Sequence, residues 1–128
     1  MAALAFIYLE DSPEPVVVSG GQKSILKIRK TITNNQGAKP QSVIQHIQFK
    51  NQIVRTRNIA MATIHDPTKK MRNFTKVLLI NGSEVKLPIS SGVVAEEIGK
   101  KYEDDLYKSN FIDDNWTIVR KVSIKEIF

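Results

Sequence analysis

The chain has 128 residues, of which 41% are hydrophobic and 25% charged, with a formal charge of +6. That length suits one domain able to bury roughly two-thirds of its unfolded surface, and the composition excludes wholesale disorder. Having no cysteine, the chain excludes disulfide frameworks and thiolate metal sites.

Leu4 to Glu10 reads as a nearly all-apolar strand, buried on both faces or paired centrally. It is too short to span a membrane and no basic segment precedes it, so neither a signal peptide nor an anchor is expected. A cytoplasmic protein, or a virion component, is the expected setting. Asp11 to Pro15 breaks the strand with two prolines, and Val16 to Val18 forms a second short one ended by Gly20-Gly21. Lys23 to Thr33 alternates, with Leu26, Ile28 and Ile32 on one face and Lys23, Lys27, Arg29 and Ile25 on the other, which predicts a half-buried strand with a cationic outer side. Asn34 to Gln41 is a polar loop, and Val43 to Phe49 fits either a strand or a short helix.

Ile53 to Ile64 is β-branched and predicts one strand with Arg55 and Arg57 side by side. His65 to Asn73 is a loop, turned at Pro67 and basic at its tip through Lys69, Lys70 and Arg72. Phe74 to Ser91 carries the strongest local signal, Asn81-Gly82 between two apolar runs, which predicts a two-residue hairpin. In that register Leu78 faces Val85 and Phe74 faces Ile89, with Phe74, Leu78, Ile80, Val85, Leu87 and Ile89 as the core face. A helix is predicted over about 92–108, capped by Ser90 or Ser91, with Val94, Ile98, Tyr102 and Leu106 in one row. Trp116 to Ile124 alternates as a last strand, with Trp116, Ile118, Val122 and Ile124 inward and Thr117, Lys121 and Ser123 outward. No internal repeat or second-domain linker stands out. The fold class is mainly β with one helix (α+β), a single basic domain over 1–128 built of antiparallel sheets.

The charge is unevenly spread. Residues 1–19 hold three acids and no base, residues 20–80 hold twelve Lys and Arg against Asp66 alone, and residues 81–128 hold nine acids and seven bases. A middle block of net +11 repels itself unless an anion relieves it, the plain alternative being a solvated face kept for solubility. Phosphates reward Lys and Arg gathered on one surface by counterion release. Lys27, Arg29, Arg55, Arg57, Lys69, Lys70 and Arg72 are the expected phosphate contacts, with Lys50 and Asn51 probing the groove. Only Phe49 and Phe74 lie in the block as aromatic residues, which favours duplex over a single-strand stacking platform. His46 and His65 lack metal-motif spacing, and no glycine-rich phosphate loop is present, so no enzyme, metal or cofactor is expected.

Three blocks in order carry a family resemblance: Phe6-Ile7-Tyr8-Leu9-Glu10, then Phe49-Lys50-Asn51-Gln52-Ile53-Val54-Arg55 followed by Ile59, then the Asn81-Gly82 hairpin ending Leu87-Pro88-Ile89-Ser90. Together they resemble the LytTR family of β-rich DNA-binding domains. The resemblance implies DNA contacts from polar residues of the middle block, where Lys50 keeps the basic position and Ile53-Val54 the apolar pair. Phe49 stands in place of the family's histidine, Arg55 in place of its asparagine, and the arginine after the final Pro-x-Ser is replaced by Ser91 and Gly92. The expected function is therefore a non-enzymatic nucleic-acid-binding protein, with duplex DNA the favoured ligand. The alternative is a structural or assembly subunit, phage virion-like or similar, with protein partners or further copies joined through edge strands.

Overall fold

The computed structural model describes residues 3–49, 52–65, 74–100, 110–114 and 116–128. Among them ten strands and two helices run in the order β1 (Leu4–Leu9), β2 (Ser12–Ser19), α1 (Gly21–Asn35), β3 (His46–Phe49), β4 (Gln52–Arg55), β5 (Ile59–His65), β6 (Thr75–Leu79), β7 (Glu84–Leu87), α2 (Ser91–Gly99), β8 (Phe111–Asp114), β9 (Thr117–Arg120) and β10 (Ile124–Ile127). Three antiparallel sheets result, β2-β1-β5-β9-β8, β10-β6-β7 and β3-β4. The class is mainly β, as the sequence predicts. No helix among the described residues is long and apolar enough to cross a membrane.

The five-stranded sheet lies in the middle and is covered on both faces. Ala5, Ile7, Ala62, Phe111 and Ile118 face α1 and the β3-β4 hairpin, meeting Ile25, Ile28, Ile47, Phe49 and Val54. Met61, Ile112 and Val119 face the other way, toward Val77, Leu79, Val85, Leu87 and, from α2, Val94. Burial on both sides explains why β1 and β5 read as nearly unbroken apolar runs. β2 begins earlier than expected, at Ser12, because an edge strand tolerates Pro13 and Pro15 where a central one would lose ladder donors.

Lys23 to Thr33 is helix, not strand. The buried residues of α1 are Gly21, Ser24, Ile25, Ile28, Thr31 and Ile32, spaced by threes and fours along one face. Ile25, which alternation sends outward, is fully buried, while Leu26, sent inward, is exposed. Isoleucine disfavours a helix by only a few tenths of a kcal/mol, so burying three of them against a sheet decides the conformation. Lys27 and Arg29 are therefore on a helix. At its start Gly21 packs so close that a Cβ there would stand 3.3 Å from the backbone of Ala3 and from Ile64.

The β6-β7 hairpin forms, but one register step from the expected pairing. Val77 lies opposite Val85 and Leu78 opposite Glu84. The loop has three residues: Gly82 N donates to Leu79 O at 3.0 Å, Leu79 N donates to Ser83 O at 2.8 Å, and Gly82 takes φ +93°. This is a turn followed by a glycine bulge. The extra residue turns Thr75, Val77 and Leu79 inward and leaves Phe74 and Ile80 exposed, while Val85, Leu87 and Ile89 stay in the core as expected. A Cβ on Gly82 would meet nothing within 4 Å. Gly82→Ala is thus expected to cost about 1–2 kcal/mol through backbone strain alone, read from urea denaturation.

Two other segments differ from expectation. Ile53 to Ile64 is two strands, broken by a 3-10 turn at Thr56–Asn58. Trp116 to Ile124 is broken in the same way at Lys121–Ser123, so Lys121 and Ser123 are buried and Val122 is exposed. Of Val43 to Phe49, open between strand and helix in the sequence, only His46–Phe49 is strand. α2 ends at Gly99, with Lys100 extended, and Ser90 caps it by accepting from Val93 N at 3.4 Å. Val94 is buried and Ile98 exposed. Tyr102 and Leu106 lie outside the described residues, as does the 66–73 part of the basic loop.

The chain contains an internal repeat that sequence reading missed. Among the described residues each half runs strand, strand, helix, strand, strand, 3-10 turn, strand, the first half adding a 3-10 turn at Pro40–Ser42 after its helix. His46 pairs with Arg55 and Phe49 with Gln52; 65 positions on, Phe111 pairs with Arg120 and Asp114 with Thr117. Leu9 pairs with Ile59 and, after a bulge, Tyr8 with Met61; Leu79 pairs with Ile124 and, after a bulge, Leu78 with Glu126. Even the hydrogen bond after the first strand recurs, Glu10 N donating to Asn58 O and Ile80 N to Ser123 O. The halves interlock where β9 adds to β5, and where the Asn81 amide donates to Leu9 O and Ser12 O at 2.5 and 2.8 Å.

Candidate nucleic-acid interface

A cleft of about 790 Å³ opens where the two halves meet. The β3-β4 hairpin and the turn after β4 supply His46, Arg55 and Arg57, the end of β9 supplies Arg120, and Glu10, just after β1, also lines it. The 3-10 turn matters here, because Arg55 just before it and Arg57 within it both line the cleft. Arg55, Arg57 and Asn58 also line a groove of about 430 Å³ beside Asp11.

The three guanidinium groups are held differently. Arg120 donates from Nε and Nη2 to Ile59 O, each at 3.2 Å, lies 3.4 Å from Glu10 Oε1 and stacks 4.8 Å from the Phe111 ring centre. Glu10 is in turn held by the Ser123 hydroxyl. Burial lowers the Arg120 pKa from its ordinary value, Glu10 opposes that and Arg57 adds to it. Arg55 and Arg57 make no ion pair among the described residues. Two exposed cations thus stand beside a third that is fixed in place, which is an arrangement that takes up an anion.

The remaining expected contacts fare differently. Lys27 donates to Gln48 O and sits 5.7 Å from the Phe49 ring centre, tying α1 to the β3-β4 hairpin. Arg29 makes a two-pronged bond to Asp113, both arms 2.7 Å, and lies 5.9 Å from the Trp116 ring centre. These two cations hold elements together and do not line the cleft. Lys50, Asn51, Lys69, Lys70 and Arg72 lie outside the described residues.

Sequence reasoning missed Arg120 and His46 as neighbours of Arg55. The available signal was Ile53-Val54-Arg55 followed by Ile59, repeated as Ile118-Val119-Arg120 followed by Ile124, which marks Arg120 as the counterpart of Arg55. Among the described residues no group of three His, Asp or Glu side chains could hold a metal ion. Comparison with family models, curated proteins and solved structures gives no match.

Proposed function

We propose that this chain is a non-enzymatic nucleic-acid-binding domain that holds the phosphate backbone of duplex DNA with Arg55 and Arg57 at the mouth of the cleft. The observation that carries the reading is the pairing of these two exposed guanidinium groups, free of carboxylate partners among the described residues, beside Arg120. The net +11 of residues 20–80 supplies the long-range attraction, and the resemblance of the middle block to LytTR domains points the same way. Lys50 and Asn51, expected from the sequence as groove contacts, lie outside the described residues. Function in the cytoplasm or in a virion accords with it.

The test is binding to random duplex DNA across a salt series. Sub-micromolar affinity at low salt, with log affinity falling steeply against log salt, is the expected result. Binding no tighter than micromolar, or a flat slope, would end the proposal.

A second reading, an assembly subunit, is favoured by one specific observation: β4 and β10 each present an outer edge that is unpaired among the described residues.

A further inference from the structure

The repeat makes one contact inside the molecule that it has the means to make again outside. β9, from the second half, adds to β5, from the first, with Met61 against Val119, Ala62 against Ile118 and Thr63 against Thr117. From β3 onward the halves are 65 positions apart, so β10 is the counterpart of β5, and β4 the counterpart of β9. The equivalent contact would set Glu126 against Val54, Ile127 against Ile53 and Phe128 against Gln52. Within one chain that contact is not made. β10 is one edge of the three-stranded sheet, and β4 belongs to the separate two-stranded sheet.

Burial shows what these edges lack. Ala62 and Ile118 are 0% and 1% exposed, whereas their counterparts Ile127 and Ile53 are 36% and 66% exposed. Phe128, the counterpart of Thr63, is also exposed, and its N–H already donates to Lys76 O, which continues the ladder. Apolar side chains therefore stand uncovered at the two places where the internal junction buries them. Arg55 stands where Arg120 stands, and Arg120 secures the internal junction by donating to Ile59 O. The matching acceptor is Ile124 O of a second copy.

We infer that the chain associates with copies of itself head to tail, β4 of one copy adding antiparallel to β10 of the next with Ile53 opposite Ile127. This deepens the assembly reading by naming its partner, edges and register, and it does not rest on the nucleic-acid reading. The two surfaces differ, so the contact is heterologous: an open chain of copies keeps a free β4 at one end and a free β10 at the other until a ring closes, and otherwise a filament grows. Main-chain bonds of the new ladder supply the attraction, and the Ile53–Ile127 pair sets the register.

The test is sedimentation of the 128-residue chain, free of nucleic acid, from about 10 μM to about 1 mM. The mass is expected to rise with concentration beyond that of a dimer. Ile53→Lys blocks one edge and Ile127→Lys the other, so each variant alone stays a monomer. An equimolar mixture of the two forms a 1:1 dimer and stops there, because the first still offers β10 and the second still offers β4. That restored dimer also shows that both variants fold. A wild-type chain that stays monomeric to about 1 mM overturns the proposal, as does a single variant that associates like wild type. Arg57→Ala leaves the mass series unchanged while weakening duplex binding, so failure of either reading is visible separately.

Discussion

Ile118→Ala is expected to lower the unfolding free energy by about 2–5 kcal/mol, a large share of the roughly 5–15 kcal/mol typical of a domain. Ile118 is fully buried on β9, packs with Ile7, Ile28, Ile59 and Phe111, and lies at the junction where β9 joins β5. Removing three carbons there leaves a cavity between a helix and a sheet whose backbone is fixed on both sides by ladder bonds, so little collapse can refill it. The measurement is urea denaturation followed by circular dichroism. A midpoint that falls with the slope unchanged is the expected outcome, and a loss under 1 kcal/mol would mean that β9 is not packed as described.

Removal of both cleft cations, Arg55→Ala with Arg57→Ala, is expected to weaken duplex DNA binding about tenfold or more and to reduce the salt slope by about 2. The proper control removes the same charge elsewhere: Lys27→Ala with Arg29→Ala. Those two side chains are committed to Gln48 O and Asp113, so their loss should leave most of the affinity intact. Stability would fall instead, by about 1 kcal/mol for the part-exposed Arg29–Asp113 pair. Equal losses of affinity in the two double variants would show that only net charge matters, and the cleft would lose its role.

Much of the fold is legible in the residues because the central sheet is buried on both faces, and unbroken apolar runs such as Leu4 to Leu9 leave few other places for a strand. The hairpin at Asn81-Gly82 is legible as a hairpin but not in register. Asn-Gly fits a two-residue turn and the second half of a three-residue turn equally well, and the choice is made by tertiary contacts of Asn81 with the β1-β2 turn. α1 misleads because Leu26, Ile28 and Ile32 fit a period of two, whereas the period of 3.6 that prevails joins Ile25, Ile28 and Ile32 and leaves Leu26 outside. The repeat hides because packing, not identity, carries it. From β3 onward only Ile-Val-Arg and two isoleucines, Ile47 with Ile112 and Ile59 with Ile124, recur, and the helices differ in length, 15 residues against 9.

For the site, the sequence points to Arg55 and Arg57 by charge alone. What it does not show is which cations are spent internally, since Arg29 finds Asp113 across 84 positions of chain. Arg120 escapes notice for the opposite reason: it lies in the acidic final third, where the block pattern does not look for cations.

Trp116 is the chain's sole indole and belongs to the second half, yet it packs against the cluster built largely by the first and lies beside Arg29 of α1. Its emission is therefore an intrinsic optical reporter of whether the two halves are seated on each other. Separation of α1 from the β8-β9 hairpin would wet the ring and shift its fluorescence to the red, before any strand had unravelled.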